Sequence, residues 1–316
     1  MFFKSSLHAI RRFSVAPVVR SSYTATPRTT LTDLRSLYET KKPITVVTAW
    51  DFLTGQIVDK AKADIALVGD SLAMVALGYP DTNEIELDEM LYHVRAVNRG
   101  NQSSFIVADM PFGTYEKSTE QAVETAIKVV KYGKAQAVKL EGGQEMADTV
   151  RAIVRAGVPV MGHIGLTPQK HHTLGGYKLQ GNSAESARKL IDDGLALEDA
   201  GAFGMIVECV PNKLAGIVTE AIKIPTVGIG AGPYVSGQVL VLADMLQMND
   251  PDNYKLAKFV KPYMRFFEDA TKAVSQYKQD VVDKVFPNAD QNGYKMKSEI
   301  LRDARQYAES KKQAEL

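Results

Sequence analysis

The chain has a single cysteine in 316 residues. It cannot close an internal disulfide or assemble a multi-cysteine zinc or iron–sulfur centre. It also lacks a surplus of either charge: 38 Lys and Arg face 37 Asp and Glu, a formal net charge of +1. Bulk electrostatic attachment to nucleic acid is therefore not expected. No apolar run approaches the roughly 20 residues that span a bilayer, so no membrane partner is expected either. No G-x-G-x-x-G follows the first strand-like run and no G-x-x-x-x-G-K-[ST] occurs anywhere, which removes the usual nucleotide signatures of open α/β sheets. What is present is an ordinary globular composition, 45% hydrophobic and 24% charged, enough for one large domain or two of common size.

Charge is distributed unevenly along this balanced total. Residues 1–30 hold Lys4, Arg11, Arg12, Arg20 and Arg28 and no acid; the first carboxylate is Asp33. The opening stretch MFFKSSLHAIRRF sets Phe2, Phe3, Leu7 and Ile10 against a basic face. Acid-poor, Arg- and Ser-rich and amphipathic, the segment is expected to be a mitochondrial transit peptide addressing the chain to the matrix. Removal of its five basic residues would leave the remainder acidic by about four charges.

From residue 44 onward, short β-branched runs alternate with longer amphipathic stretches. The runs are ITVVTAW (44–50), IALVGDS (65–71), SFIVADMP (104–111), AVKLEGG (137–143), PVMGHIG (159–165), GMIVECV (204–210), IPTVGIGAG (224–232) and QVLVLADM (238–245). Near-continuous apolar character is the mark of parallel strands covered on both faces. Apolar spacing of three and four predicts helices over 87–99, 119–132, 185–200 and 256–283. The connection at 233–237 is too short for a helix, so either the eighth run is misread or one helix is missing. Eight strands alternating with helices over about 250 residues predict a (β/α)8 TIM barrel over 31–290, followed by a charged tail, 291–316.

Ionisable side chains close consecutive runs: Asp70 and Ser71, Asp109, Lys139 and Glu141, His163, and Glu208. A parallel barrel delivers these strand ends to one rim, where barrel enzymes carry out their chemistry. Asp70, Asp109 and Glu141 are hard oxygen donors without paired His or Cys, a set suited to Mg²⁺. Lys139, two residues before Glu141, shares its strand face. Three roles are open to it: holding a substrate carboxylate, neutralising the acids, or forming a Schiff base. Glu208 stands in an apolar run, where its carboxylate would be pushed toward neutrality and suit general-base work. Cys209 alternates to the opposite face and is expected in the core. His163 fits either contact with substrate or metal-bound water, or a structural role. GIGAG (228–232) is a weak candidate for an anion loop, equally explained by packing. Residues 166–182 form a loop long enough for a lid; the adjacent His171 and His172 read best as its solvated tip.

Taken together, VGDSLAMVALGY, VADMPFGTY, VKLEGG, GHIGLTPQ, GGYKLQG, ECVP, IPTVGIGAG and GQVLVLADML resemble the ketopantoate hydroxymethyltransferase family in order and spacing, across roughly residues 33–290. The resemblance implies a barrel of the phosphoenolpyruvate/pyruvate type. It implies Mg²⁺ ligation by Asp70 and Asp109, with Glu141 joining mainly through water. Ser71 and Lys139 would hold the 2-oxo acid and Glu208 would accept the proton. The implied reaction transfers a one-carbon unit from 5,10-methylenetetrahydrofolate to 3-methyl-2-oxobutanoate, giving 2-dehydropantoate for pantothenate synthesis. A metal-stabilised enolate is the implied nucleophile, and a homo-oligomer, a decamer in the family, is the implied assembly. The sequence departs from the family pattern at Trp50, at PDTNEIEL (80–87) and at KHHTL (170–174), all expected around the rim. Two other readings have distinct consequences. A Mg²⁺-dependent 2-oxo acid lyase or decarboxylase on the same barrel needs no folate. An inactive barrel kept as an assembly subunit would exchange no substrate proton.

Overall fold

The computed structural model describes residues 28–314. Eight parallel strands close into one barrel: β1 (Ile44–Thr48), β2 (Ile65–Val68), β3 (Phe105–Asp109), β4 (Ala137–Lys139), β5 (Val160–Gly165), β6 (Gly204–Glu208), β7 (Thr226–Ile229) and β8 (Gly237–Leu240). Each strand pairs with the next, and β8 returns to β1 through Ile44 opposite Gly237 and Val46 opposite Val239. The helices before and among the first four strands are α1 (Leu31–Glu39), α2 (Phe52–Lys60), α3 (Leu72–Val75), α4 (Leu87–Gly100) and α5 (Thr119–Lys128). After them come α6 (Ala147–Arg155), α7 (His171–Leu174), α8 (Ala184–Asp199), α9 (Asn212–Ala221), α10 (Leu242–Met245), α11 (Phe266–Val282) and α12 (Ser298–Ala314). Among the described residues no helix is long and apolar enough to cross a membrane.

Local chemistry sets the helix starts. Thr30, Asp51, Ser118 and Ser183 each offer a side-chain oxygen to a backbone N–H in the first turn of α1, α2, α5 and α8, satisfying a donor that has no intrahelical partner. The eighth run is a real strand, but a short one. No helix separates β7 from β8, and 242–245 turns into α10 instead of extending β8. The helix expected over 119–132 ends as α5 at Lys128 and continues as a π turn over Val129–Gly133. The helix expected over 256–283 begins only at Phe266. Pro262 bars Lys261 from helical geometry. The backbone there is instead strapped to α10, with Tyr263, Phe266 and Phe267 N–H groups donating to the Met245, Leu246 and Gln247 carbonyls.

The last residues of the expected basic segment, 28–30, are described. Arg28 donates to the Ser104 and Asn101 carbonyls and to Asn98, and the Thr29 N–H donates to the Ser103 carbonyl. The folded chain thus already includes residues 28–30; the rest of the basic segment lies outside the described residues. At the other end, the charged tail contains α12, which buries no residue.

Strand alternation divides the core in two. Ala66, Val68, Ile106, Ala108, Val138, Val160, Met205 and Val207 face the helices. Ile44, Val46, Ile65, Leu67, Phe105, Val107, Ala137, Met161, Ile206, Val227 and Val239 fill the barrel interior, with Leu34 of α1 packed against them. The interior set matters for function because its register continues upward. Val107 leads to Asp109, Ala137 to Lys139, Met161 to His163 and Ile206 to Glu208, each two residues on. The polar groups therefore stand on a dry apolar plug.

Candidate active site

The strand ends converge as the barrel requires. Asp70, Ser71, Asp109, Lys139, Glu141, His163 and Glu208 line one cavity of about 140 Å³ at the C-terminal rim. All seven sequence-derived site residues are brought together. Asp109 lies opposite Lys139 in the β3–β4 register, and their side chains form a buried ion pair of 3.1 Å. The same carboxylate oxygen accepts the Asp70 N–H at 2.9 Å. Lys139 Nζ also lies 3.2 Å from His163 Nδ1. Glu141 Oε1 lies 3.5 Å from that nitrogen. On the far side of the ring, Nε2 is 3.1 Å from Glu208 Oε2.

Burial and crowding of like charge determine protonation. Burial, reinforced by the Asp70 charge and opposed by Lys139, pushes Asp109 up to about 7. Burial raises Glu141 as well. Lys139 is buried, yet Asp109, Asp70 and Glu141 outweigh that penalty and hold its ammonium well above the ordinary lysine range. Burial and Lys139 both oppose a charge on His163, but Glu141 and Glu208 prevail and its pKa is pushed up to about 9. Two pulls compete at Nδ1. An ammonium can only donate, so its contact needs a lone pair there, whereas the carboxylates favour the imidazolium. Either form keeps a proton on Nε2, facing Glu208.

The donor set fits a hard divalent cation. Asp109 Oδ1 and Glu141 Oε1 are buried and accept no hydrogen bond, although buried acceptors are ordinarily satisfied. Three carboxylates, Asp70, Asp109 and Glu141, crowd around the Lys139 ammonium, and burial pushes Asp109 and Glu141 toward protonation. A Mg²⁺ ion bound by oxygen ligands would relieve both conditions.

Sequence reasoning missed three groups, all on loops. Gln169 is buried below α7; its side-chain N–H₂ donates to Asp70 Oδ2 at 2.7 Å and to the Met110 carbonyl at 3.0 Å, and its backbone N–H donates to Glu141 Oε2 at 3.1 Å. Tyr115 donates to Gln169 Oε1 and accepts the Glu141 N–H. Burial keeps that phenol neutral and hence a donor. Thr82 lines the cavity with a buried hydroxyl that has no partner. Lying four residues after the GHIG strand end, Gln169 carries no charge to mark it in the sequence.

Two expectations are corrected, and for GIGAG the packing alternative has support. Cys209 is not core: β6 ends at Glu208, and the next residue turns out of the strand at φ +47. The thiol is half-buried beside Glu208; burial, with the Glu208 charge, pushes it up to about 11, so it is no nucleophile. Trp50 is buried between sheet and helices, not at the mouth. GIGAG is explained by packing: a Cβ at Gly230 would meet the Phe259 ring at 2.8 Å, and one at Gly232 would meet Asn212 at 2.3 Å. One more glycine places the site. Gly165 lies opposite Glu208 in the β5–β6 register at φ +92, where a Cβ would lie 2.2 Å from the Glu208 carbonyl oxygen.

Beyond the cavity a larger cleft of about 1160 Å³ opens, sharing Met74, Tyr177, Glu208, Ile229 and Val241 with it. Its walls include Leu179, Val210 and Phe259, with Lys178, Lys255 and Lys258 around them.

Comparison with known proteins places this arrangement. The family model for ketopantoate hydroxymethyltransferase matches residues 28–289. A 3-methyl-2-oxobutanoate hydroxymethyltransferase of Emericella nidulans is 48% identical over 293 residues, covering 93% of this chain and 83% of the relative. The Arabidopsis thaliana 3-methyl-2-oxobutanoate hydroxymethyltransferase 1, named as mitochondrial, is 48% identical over 277 residues, 87% of this chain and 80% of its own. Among solved structures, 2,3-dimethylmalate lyase of the PEP mutase/isocitrate lyase superfamily has a TM-score of 0.52 at 18% identity, covering 89% of this chain and 96% of that one. Phosphonopyruvate hydrolase, solved with oxalate and Mg²⁺, has a TM-score of 0.55 at 14% identity, with coverage of 88% and 96%. At such identities the structural likeness concerns the barrel fold.

Proposed function

The chain belongs to the ketopantoate hydroxymethyltransferase family, and from that premise we propose how its residues perform hydroxymethyl transfer to 3-methyl-2-oxobutanoate, a step of pantothenate biosynthesis. It is an enzyme, a one-carbon transferase. The observation that carries the reading is the convergence of Asp70, Asp109, Lys139, Glu141, His163 and Glu208 on one small cavity.

Asp70 and Asp109 would hold Mg²⁺, with Glu141 contributing through water. Bound there, the ion supplies Lewis-acid polarisation of the 2-oxo group. Lys139, kept charged by its acidic neighbours, and Ser71, whose hydroxyl does not cap α3, anchor the carboxylate of the acid. An ammonium so held is a poor nucleophile, which sets aside the Schiff-base route. Ile206, Ile229, Val239 and Val241 give the branched alkyl group an apolar wall. Glu208 takes the C3 proton, with the His163 ring beside its carboxylate, Nε2 3.1 Å from Oε2. The C3 electron pair forms the new bond to the one-carbon unit of 5,10-methylenetetrahydrofolate. One of that carbon's two bonds to folate nitrogen opens, giving the iminium that the C3 pair attacks; the second C–N bond then breaks, with water supplying the hydroxyl to carbon and the proton to nitrogen, so that tetrahydrofolate leaves. The cleft suits the co-substrate: apolar walls for the pterin and three lysines for its carboxylates.

Deuterium exchange at C3 of 3-methyl-2-oxobutanoate, read by NMR with and without Mg²⁺ and tetrahydrofolate, tests this reading. Exchange is expected to need Mg²⁺, and transfer to need folate as well. Decarboxylation or C–C cleavage without folate would point to the lyase alternative, and no exchange under any condition to an inactive barrel. Gln169 is assigned as a positioning residue for the metal ligands. Gln169→Ala should weaken Mg²⁺ binding about 10–100-fold, the usual effect of losing an outer-shell partner. Unchanged calorimetric titration of that variant would remove the role.

A mitochondrial matrix location is the proposed address, supported by the acid-free basic leader and by the name of the Arabidopsis relative. A homo-oligomer, a decamer by family resemblance, is the proposed assembly. In its support, α11 buries no residue and exposes Val274, Tyr277, Val281 and Val282.

A further inference from the structure

The KHHTL segment (170–174) lies beside the mouth of the cavity, between Pro168 and Tyr177, which line it. His171 and His172 open α7, and one ring nitrogen of each lies within 4.8 Å of the other and of an Asp81 carboxylate oxygen. Adjacent helical residues ordinarily diverge, yet these rings are 3.9 Å apart, tilted by 40°. We infer that Asp81, His171 and His172 form a second divalent-metal site, of the zinc class, that ties the loop after β2 to the loop after β5.

The placement of the three donor atoms carries the argument. Its Nδ1 is 2.9 Å from the Pro168 carbonyl oxygen. A carbonyl only accepts, so Nδ1 bears a proton, and Nε2 is the ring nitrogen left for a metal. That Nε2 faces Asp81 Oδ2 at 3.6 Å, too far for a hydrogen bond. In the neutral ring the Nε2 lone pair and the Asp81 carboxylate face each other across a gap that a cation can fill, with a His172 ring nitrogen beside them. An imidazole whose second nitrogen donates to a backbone carbonyl is also the usual arrangement of a metal-ligating histidine. Two imidazoles and one carboxylate are a borderline donor set that suits Zn²⁺. This set differs in kind from the all-oxygen set of Asp70, Asp109 and Glu141. Metal–ligand bonds near 2.0–2.2 Å would draw the three atoms together by about an ångström, within reach of side-chain rotation.

The location gives the site a consequence. The His171 ring stacks on Tyr177 at 5.7 Å with the planes 3° apart, and Tyr177 lines both the cavity and the cleft. A metal on His171 would thus fix an aromatic wall of the mouth.

Equilibrium dialysis of the full chain against Zn²⁺, with Mg²⁺ in large excess, tests the inference by stoichiometry. His171→Ala and His172→Ala are each expected to lose one zinc equivalent, or to bind it at least about 100-fold more weakly, while Asp109→Asn retains it. His172 is exposed, so its removal leaves the fold intact, as a thermal melt will verify. Identical zinc stoichiometry and affinity in both histidine variants would overturn the site. So would loss of the zinc equivalent in Asp109→Asn alone. A His171–Asp81 pair held by a proton alone, seen as no zinc bound beyond the catalytic cavity, would overturn it equally.

Discussion

Glu208→Gln is expected to lower C3 deuterium exchange by about 10²–10⁴-fold, the range a positioned general base supplies, while Mg²⁺ and substrate still bind. The amide is nearly isosteric with the carboxylate and keeps an oxygen beside His163, whose Nε2 lies 3.1 Å from the native oxygen. What it lacks is a basic oxygen. Glu208 has no structural contact to the Asp70–Asp109–Lys139 cluster among the hydrogen bonds and ion pairs of the described residues, so the metal ligands should be undisturbed. NMR exchange and Mg²⁺ titration on the same sample separate the two effects. Exchange at the native rate would mean that another residue takes the proton, with His163 the next to test.

Asp109→Asn should have the largest effect on the metal, weakening Mg²⁺ by at least about 100-fold, beyond what loss of an outer-shell partner costs. One oxygen of Asp109 accepts both the Asp70 N–H and the Lys139 ammonium, and the other has no partner. An amide has one acceptor where the carboxylate has two. If its oxygen keeps the Asp70 and Lys139 contacts, its N–H₂ points at the cation position; if it flips, its N–H₂ opposes the ammonium. Neither orientation serves both. Calorimetric titration measures the effect, and a titration identical to the native enzyme's would take Asp109 out of the ligand set.

The barrel was legible because its strands are apolar on both faces and short helices with ordinary spacing separate them. The site was legible for a related reason. Asp109, Lys139, His163 and Glu208 interrupt the apolar interior register at its upper end, and a charged residue in that position stands out against Val107, Ala137, Met161 and Ile206. Gln169, Tyr115 and Thr82 did not stand out. They are neutral, come from loops, and acquire meaning only from partners such as Asp70, 99 residues from Gln169. The pairing of Asp81 with His171 was hidden likewise, since nothing in either loop specifies how they meet. Cys209 was misplaced because period-two reasoning was extended one residue beyond the end of β6, where φ changes sign. The start of α11 was misplaced because apolar spacing persists through 256–265 even though Pro262 and the strap to α10 prevent a helix there.

The dry plug under the site has an electrical consequence. With Leu34 stopping the far end and Val107, Met161 and Ile206 packed beneath, the lower half of the barrel is an insulator. The field of the acids cannot be dissipated downward, so its lines leave through the rim alone, concentrated by low-dielectric walls. On the proposed reading, a dication would be drawn along that outlet and would in turn offer a substrate anion its counter-charge.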